Sequence, residues 1–164
     1  MDNTNQTQPT GCCPIFNPAP WQEKEITWDN KLFVTDHVKS FLHIPLNMSA
    51  VMTRMCEKIK SAGADVEPEN FVMLSDECSA WKSAQFMAVK KEVPGMENVK
   101  ISGTFLTKVF EGQYKEVRNW YKEMLKYVEA KGKKTDKIYI YYTTCPKCAK
   151  AYGKNYVVLF AQIG

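Results

Sequence analysis

The chain has 164 residues, 45% of them hydrophobic, which is enough to fill the core of one domain and excludes a disordered composition. The formal charge is only +4, and the basic residues are nearly all lysine, so we expect no direct contact with nucleic acid. No apolar run is long enough to span a membrane, and the first residues lack the regions of a signal peptide. We therefore predict a cytoplasmic protein with no membrane partner, whose six cysteines are thiols.

Residues 1–30 are predicted to form a proline-rich arm that packs on the body of the protein. Prolines at 9, 14, 18 and 20 prevent a regular helix and favour extended chain. Cys12 and Cys13 begin an apolar island in this arm, and Trp21 and Trp28 follow it.

Residues 31–164 are predicted to form a single domain made of two repeats, about 31–95 and about 101–164. In the first repeat a strand ends near Pro45, and a helix follows from about Met48 to Gly63. Apolar residues recur in that helix at the spacing of one helical face. Two apolar stretches, 71–75 and 84–93, then predict a hairpin.

The second repeat begins with a strand in which Phe105, Thr107, Val109 and Glu111 alternate with Leu106, Lys108 and Phe110. Gly112 interrupts the alternation, and an amphipathic helix runs from about Val117 to Gly132. Strands over 138–142 and 156–160 complete the repeat.

The two helices match at one offset. Adding 69 to each of five apolar positions of the first helix gives an apolar position of the second, and the closing glycines share this offset. The sequence therefore predicts an internal duplication. The expected fold class is α+β: two pseudo-symmetric strand–helix–strand–strand repeats form an antiparallel sheet, with two long helices on one face and a ligand groove between the halves.

The alternation along 138–142 assigns residues to the two sides of that sheet. Ile138, Ile140 and Tyr142 are expected to face the helices. Tyr139 and Tyr141 then face the groove.

The strand that leads into Glu111-Gly112-Gln113-Tyr114 and then an amphipathic helix resembles the GyrI-like small-molecule-binding family, which supplies the effector-binding domain of many multidrug-responsive activators. The resemblance covers about residues 31–164, with Gln113 where the family usually has proline. The cysteine–proline start, Pro45-Leu46-Asn47 and the stretch 143–148 also resemble a stand-alone bacterial subgroup often labelled hydrolase.

The resemblance implies a pocket for flat, often cationic, aromatic compounds, and in some stand-alone members hydrolysis of reactive electrophiles. Many members carry a buried glutamate that pairs with a ligand cation, and Tyr139 stands at that position here. Tyr139 can instead offer its ring face to a cation or donate a hydrogen bond.

The candidate ligand-binding residues are aromatic side chains joined by one histidine: Trp21, Trp28, Trp81, Tyr114, Tyr139, Tyr141 and His43. For hydrolysis, Glu111 is the candidate general acid or base if burial raises its pKa, against the alternative of a solvated strand end. Asp76 and Glu77 end the comparable strand of the first half, where they could oppose it.

Cys145-Pro146-Lys147-Cys148 has three interpretations. It is a structured loop with packed thiols, half of a zinc site completed by Cys12, Cys13 or His43, or a redox pair.

The sequence thus predicts a binding protein for small aromatic or amphipathic molecules, which it also hydrolyses or merely senses or sequesters. A zinc or thiol protein built on Cys145 and Cys148 is the other alternative. Outside that alternative no cofactor is expected, and the chain is predicted to be a monomer or a homodimer.

Overall fold

A computed structural model describes residues 17–41, 44–67, 70–77, 81–143, 153 and 155–164. These residues form seven β-strands, two α-helices and a short 3-10 turn, which confirms the predicted α+β class. The elements in chain order are β1 (Lys24–Phe41), β2 (Ile44–Pro45), α1 (Met48–Ser61), β3 (Met73–Asp76), β4 (Lys82–Ala88), β5 (Glu97–Glu111), the 3-10 turn (Tyr114–Glu116), α2 (Val117–Ala130), β6 (Lys137–Tyr142) and β7 (Tyr156–Gln162). Within the described residues, neither helix is long and apolar enough to cross a membrane.

The chain divides into two compact units. The contiguous unit is Thr27–Gly103, and the discontinuous unit joins the described residues before Thr27 to Thr104–Gly164. The division falls inside β1 and inside β5, so each of these strands contributes residues to both units.

In the contiguous unit the strand order is β2-β1-β4-β3, with antiparallel pairing throughout. The core forms where α1 covers one face of these strands. Val51, Met55 and Ile59 of the helix share a buried cluster with Val34 and Val38 of β1. Their i, i+4, i+8 spacing is the apolar stripe that the sequence predicts.

In the discontinuous unit the order is β6-β7-β5, again antiparallel. Trp120, Met124 and Val128 of α2 pack on side chains from all three strands, among them Ile140 of β6 and Leu159 of β7. Period-two alternation explains why these strand residues face the helix, because successive side chains of a strand point to opposite sides.

Both units use the same pairing pattern. The strand before the helix pairs with the last strand, and the last strand pairs with the middle one: β1-β4-β3 in one unit and β5-β7-β6 in the other. The buried helix positions of α1 and α2 also match at the predicted offset of 69, since Val51, Met55 and Ile59 correspond to Trp120, Met124 and Val128. Apart from the two-residue β2, each unit has the element order strand, helix, strand, strand.

Three boundaries and one core residue differ from the predictions. β1 begins at Lys24, inside the segment assigned to the arm, and β5 begins at Glu97, before the predicted start. β4 ends at Ala88 rather than near residue 93. Tyr121, one of the five apolar helix positions matched at the offset of 69, is 41% exposed, and Tyr127 is buried instead. The buried side of α2 is therefore formed by Trp120, Met124, Tyr127 and Val128.

Gly112 forms the turn that ends β5. Its φ is +150°, and an added Cβ would lie 3.1 Å from Cζ2 of Trp120. The Gly112 N–H donates to the Asn155 carbonyl (3.1 Å), and Asn155 Nδ2 donates to the Gly112 carbonyl (2.8 Å). Both the N–H and the carbonyl of Gly112 are therefore held by hydrogen bonds, and a larger residue at this position would contact the Trp120 indole of α2.

Gly112→Ala is expected to destabilise the protein by about 1–3 kcal/mol, because backbone strain and the contact with Trp120 both oppose the methyl group. Urea unfolding measures this loss. Gly95→Ala is the matched control: its φ is +80°, but a Cβ there meets nothing within 4 Å. Equal losses for the two variants would show that the Trp120 contact carries no weight.

An ion pair ties β1 to α1. Arg54 donates to Asp36 Oδ2 from Nε (3.0 Å) and from Nη2 (2.6 Å), and Asp36 Oδ1 accepts the backbone N–H of His37 (2.8 Å). Burial acts to raise the pKa of the Asp36 carboxyl, but these hydrogen bonds and the nearby positive charge hold that pKa below its usual value. The pair is partly exposed, with side-chain exposures of 24% for Asp36 and 49% for Arg54.

Because the folded-state pKa is lowered, the contribution of Asp36 is complete above the unfolded pKa of about 3.9 and is lost as the pH falls through the folded value. Asp36→Asn and Arg54→Gln should each lower the free energy of unfolding near pH 7 by at most about 1 kcal/mol. Urea unfolding of both single variants and the double variant tests this. The double variant should lose no more than the larger single loss, and the deficit should shrink in acid. Additive losses that persist at low pH would contradict the prediction.

Candidate ligand-binding site

The sheet of the discontinuous unit has an aromatic side opposite α2. Ile138 and Ile140 of β6 lie in the cluster beneath the helix, and Tyr142 packs against that cluster. Tyr139 and Tyr141 therefore point to the other side, as the alternation predicts. Both tyrosines are buried, with exposures of 6% and 5%.

Strand register brings further rings to the same side. Phe160 of β7 has Tyr139 of β6 opposite it on one neighbouring strand and Thr107 of β5 opposite it on the other. Phe105 is two positions before Thr107 on β5 and points to the same side. Its ring centroid is 6.2 Å from that of Tyr139 and 6.4 Å from that of Phe160. We call Trp21, Phe105, Tyr139, Tyr141 and Phe160 the aromatic face.

Trp21 comes to this face from outside the sheet. Its ring centroid is 5.4 Å from that of Phe160 and 6.4 Å from that of Tyr141, at interplanar angles of 61° and 82°. These are edge-to-face arrangements, the geometry that the quadrupoles of aromatic rings favour. Trp21 is half-buried, whereas Phe105 and Phe160 are fully buried, so the indole is the part of the aromatic face that solvent reaches.

Hydrogen bonds to β5 hold the short segment that carries Trp21. A turn places the Trp21 N–H 3.0 Å from the Pro18 carbonyl. The Thr107 hydroxyl donates to the Trp21 carbonyl (2.6 Å), and the side-chain oxygen of Gln22 accepts the Val109 N–H (2.9 Å). The backbone of this segment is thus fixed, while the indole itself is held by ring contacts.

A cation also lies on the aromatic face. Lys137 Nζ is 5.0 Å from the ring centroid of Tyr139. An ammonium over a ring at this distance is attracted by the ring quadrupole. Tyr139 therefore takes a cation on its ring, and that cation belongs to the chain itself.

Trp28 and Trp81 belong to the contiguous unit. Trp28 is in the contiguous unit, 5.6 Å from Phe33, and Lys31 Nζ lies 5.7 Å from the Trp28 ring. Burial lowers the pKa of Lys31. Trp81, just before β4, is 57% exposed and packs on Phe41, itself 53% exposed, at 5.5 Å. Among the predicted residues whose side chains the structure describes, Trp21, Tyr139 and Tyr141 share the aromatic face.

Glu111 does not have the environment expected of an activated acid or base. It ends β5 on the same side as Thr107, but it is exposed. A role as general acid or base depends on burial, and Glu111 is exposed, so that role remains a prediction. Its opposition to Asp76 and Glu77 remains a prediction.

Several predicted residues lie outside the described residues. They are His43, Cys12, Cys13, Cys145 and Cys148, together with the side chain of Tyr114. The three interpretations of the Cys145–Cys148 stretch, zinc included, therefore remain predictions. In the described part of the chain, no cluster of three or more His, Cys, Asp or Glu side chains suits a metal ion.

Sequence reasoning missed Phe160, Phe105 and Thr107 as parts of this site. β7 is apolar at every position from Val157 to Ala161, so its alternation is invisible in the sequence. Phe105 and Thr107 were placed on one side of β5, but nothing identified which side carries the tyrosines. The missing information was the register of β7 between its two neighbours.

The model of a family described as "Bacterial hydrolase" matches residues 3–163. The chain belongs to this bacterial hydrolase family. The resemblance to a bacterial subgroup labelled hydrolase is thereby confirmed. No match is found among curated proteins.

Solved structures similar to this member of the bacterial hydrolase family support the fold. One is the crystal structure of the EcmrR C-terminal domain, with a TM-score of 0.64, 14% identity, 88% of this chain covered and 98% of that one. Another is the cryo-EM structure of an EcmrR–DNA complex in EcmrR-RPo, with a TM-score of 0.64 and 12% identity. Here 87% of this chain aligns, and it spans 57% of the EcmrR chain. At these identities the likeness concerns the fold, and it agrees with the predicted GyrI-like resemblance.

Thr107→Val is expected to loosen the Trp21 segment, because it removes the hydroxyl that donates to the Trp21 carbonyl. The loss of stability should be about 1 kcal/mol, the usual value of one hydrogen bond. The indole N–H signal of Trp21, assigned by comparison with Trp21→Phe, should shift or broaden in NMR spectra. Thr135→Val is the control, since that hydroxyl donates to the Lys137 carbonyl instead (2.9 Å). An unchanged Trp21 signal in Thr107→Val would contradict the anchoring role.

Proposed function

We propose that this bacterial hydrolase family member binds small aromatic or amphipathic molecules, including cationic ones, at the aromatic face. The observation that carries the proposal is the position of Trp21. A flat ring from outside the sheet packs on Phe160 and Tyr141 at the half-exposed edge of a buried aromatic surface. A ligand ring of similar size would make the same contacts if the indole rotated away.

Lys137 supports the cationic part of the proposal. Its ammonium lies over Tyr139, next to the rings that Trp21 covers. The chain thus supplies an aromatic group and a cation to one surface, and a molecule carrying both groups would replace them with similar interactions. Such a cation–π contact is worth about 0.5–2 kcal/mol, depending on its exposure to water.

The chain shares its fold with the C-terminal domain of EcmrR. Its predicted resemblance is to a family of effector-binding domains, and ligand binding is consistent with that resemblance. The DNA in the second EcmrR structure gives no ground to propose that this chain binds DNA. The chain spans only 57% of that protein, and its net charge is a modest +4. The shared pairing pattern and the buried matches at one offset support the predicted duplication.

Hydrolysis is a second candidate function, favoured by the description of the family. Under this hypothesis the bound molecule is an electrophile that gains water. A ligand that is bound and released unchanged would instead make the protein a sensor or a sequestering protein.

Binding is tested with ethidium, a planar aromatic cation, and with phenanthridine, its neutral ring system. We expect ethidium to raise the melting temperature of the protein, because a ligand that prefers the folded state stabilises it by mass action. Phenanthridine should give a smaller shift. Mass spectrometry of ethidium and of electrophilic compounds then separates binding from hydrolysis, which adds the mass of one water.

Tyr139 variants locate the site. Tyr139→Leu should weaken ethidium binding roughly 2- to 30-fold, the equivalent of the cation–π contact, whereas Tyr139→Phe keeps the ring and should bind like the unmodified protein. Tyr121→Leu is the control, since Tyr121 is an exposed tyrosine of α2 outside the aromatic face. Equal affinities of Tyr139→Leu and Tyr121→Leu for ethidium would contradict the proposed site.

A further inference from the structure

Three exposed apolar side chains lie at one end of the sheet of the contiguous unit. In the described part of the chain, five large hydrophobic side chains are exposed, and three of them are Phe41, Leu46 and Trp81. Leu46 is the most exposed of the five, at 66%. We call these three residues the apolar tip. The other two exposed residues, Tyr121 and Leu125, lie one turn apart on α2.

Backbone hydrogen bonds bring the apolar tip together. The Ser40 N–H donates to the Trp81 carbonyl (2.7 Å), and the Leu46 N–H donates to the Lys39 carbonyl (2.8 Å). Phe41 follows Ser40 directly, and its ring packs edge-to-face on that of Trp81, with 5.5 Å between centroids and an interplanar angle of 66°. The three side chains are thus attached to backbone that hydrogen bonds hold in place, and they project from it into solvent.

The apolar tip is large for an exposed surface. An aromatic side chain has about 150–250 Å² of surface to bury, so two half-exposed rings and a leucine offer on the order of 300 Å² together. The largest contiguous apolar patch on a typical monomer is about 300–600 Å², and such patches often mark a contact with a partner or a membrane. We therefore expect the apolar tip to be a contact surface.

Two lysines add positive charge beside the apolar tip. Lys39 of β1 and Lys82 of β4 are both exposed, and the register sets them opposite each other. Alternation places both on the side of the sheet away from α1, the side to which Phe41 also belongs. Asp76 of β3 lies on that side as well, but it is half-buried and opposite Ala84 rather than opposite a lysine. An anionic surface would therefore meet two cations next to exposed rings.

A second copy of the chain does not suit this surface. A stable protein–protein interface buries about 800 Å² on each partner, more than twice the area of the apolar tip. In a two-fold contact centred on the tip, the same patch would meet itself. Lys39 and Lys82 would then face the same two lysines of the second copy, and this repulsion between like charges would oppose association.

A lipid surface with anionic headgroups suits each of these features. Tryptophan is enriched where a membrane meets water, because its ring is apolar while its N–H can stay hydrated. Lysine has a long apolar stem, so its ammonium can reach lipid phosphates while the stem lies against apolar groups. A lipid surface also needs no complementary shape, and it surrounds projecting side chains on all sides.

We infer that the apolar tip binds the surface of membranes that contain anionic lipids. Its three side chains enter the headgroup region, and Lys39 and Lys82 contact the lipid phosphates. The sequence-based prediction of no membrane partner rests on the absence of a spanning segment, which a surface contact does not need. The inference is independent of the proposed function, because the apolar tip belongs to the contiguous unit and the aromatic face to the discontinuous one.

The test is flotation of the full chain with two kinds of vesicle, phosphatidylcholine alone and an equal mixture of phosphatidylcholine and phosphatidylglycerol. We expect the protein to float with the anionic vesicles and to stay largely unbound with the neutral ones. Raising the NaCl concentration from about 0.05 M to about 0.5 M should release the protein, because salt screens charges that are exposed to solvent. Equal binding to both kinds of vesicle, or binding to neither, would overturn the inference.

A double variant tests the apolar part of the contact. Phe41→Ser/Trp81→Ser should lower the partition coefficient for anionic vesicles about tenfold or more, because it removes most of the apolar area that enters the lipid. Tyr121→Ser/Leu125→Ser is the matched control, since it removes the other two exposed apolar side chains and should bind like the unmodified protein. Melting temperatures show whether both variants are folded. Equal partition coefficients for the two variants would contradict a contact through the apolar tip.

A charge variant tests the same contact without removing any ring. Lys39→Gln should lower the partition coefficient about fivefold, the equivalent of one lysine close to an anionic lipid surface. Lys122→Gln, at an exposed lysine of α2, changes the net charge by the same amount and should have little effect. Losses of the same size in both variants would show that net charge alone attracts the protein, which would overturn the assignment to this surface.

Other occupants of the apolar tip would give different results. A dimer in sedimentation equilibrium that is lost in Phe41→Ser/Trp81→Ser would assign the tip to a second copy of the chain. Binding to poly-L-glutamate without flotation on anionic vesicles would assign it to an acidic protein segment. Either result would overturn the lipid contact.

Discussion

Burial of one helix against one side of each sheet is the constraint on which the rest of the structure depends. Once Trp120, Met124 and Val128 cover the strands of the discontinuous unit, every second residue of β5, β6 and β7 is committed to the helix side. The residues between them must point the other way. The aromatic face therefore follows from the same alternation that builds the core, and a register slip of one residue would exchange the two sets.

The same constraint explains which parts of the structure the sequence could predict. The two helices, their closing glycines and the hairpins are local patterns, and β6 alternates clearly enough to separate its isoleucines from Tyr139 and Tyr141. Contacts between segments distant in sequence were less accessible. The placement of Trp21 depends on a hydrogen bond to Thr107, which is 86 residues away, and composition indicates only that the arm packs somewhere.

Side-chain environment was the other limit. Glu111 has the residue type of a catalytic acid, but its position at a strand end leaves it in water. Gln85 has the opposite character. It is fully buried on the side of the sheet that faces α1. Its Nε2 donates to the hydroxyl oxygens of Ser75 (2.9 Å) and Ser83 (3.1 Å). No periodicity distinguishes a buried glutamine from an exposed one, because the distinction depends on its hydrogen-bond partners, here one on the neighbouring β3 and one on β4 itself.

The discontinuity of one unit has a consequence for how the protein reaches its folded state. Thr27–Gly103 is a single stretch of chain, with its helix, hairpin and first strand close in sequence. The other unit needs segments from both ends of the sequence, and closing so long a loop has an entropic cost that local contacts do not carry. During synthesis the contiguous unit can therefore fold before β5 and β7, on which the Trp21 segment packs, are complete. The aromatic face would be completed late, and until then its rings would be exposed apolar surface that is prone to aggregation.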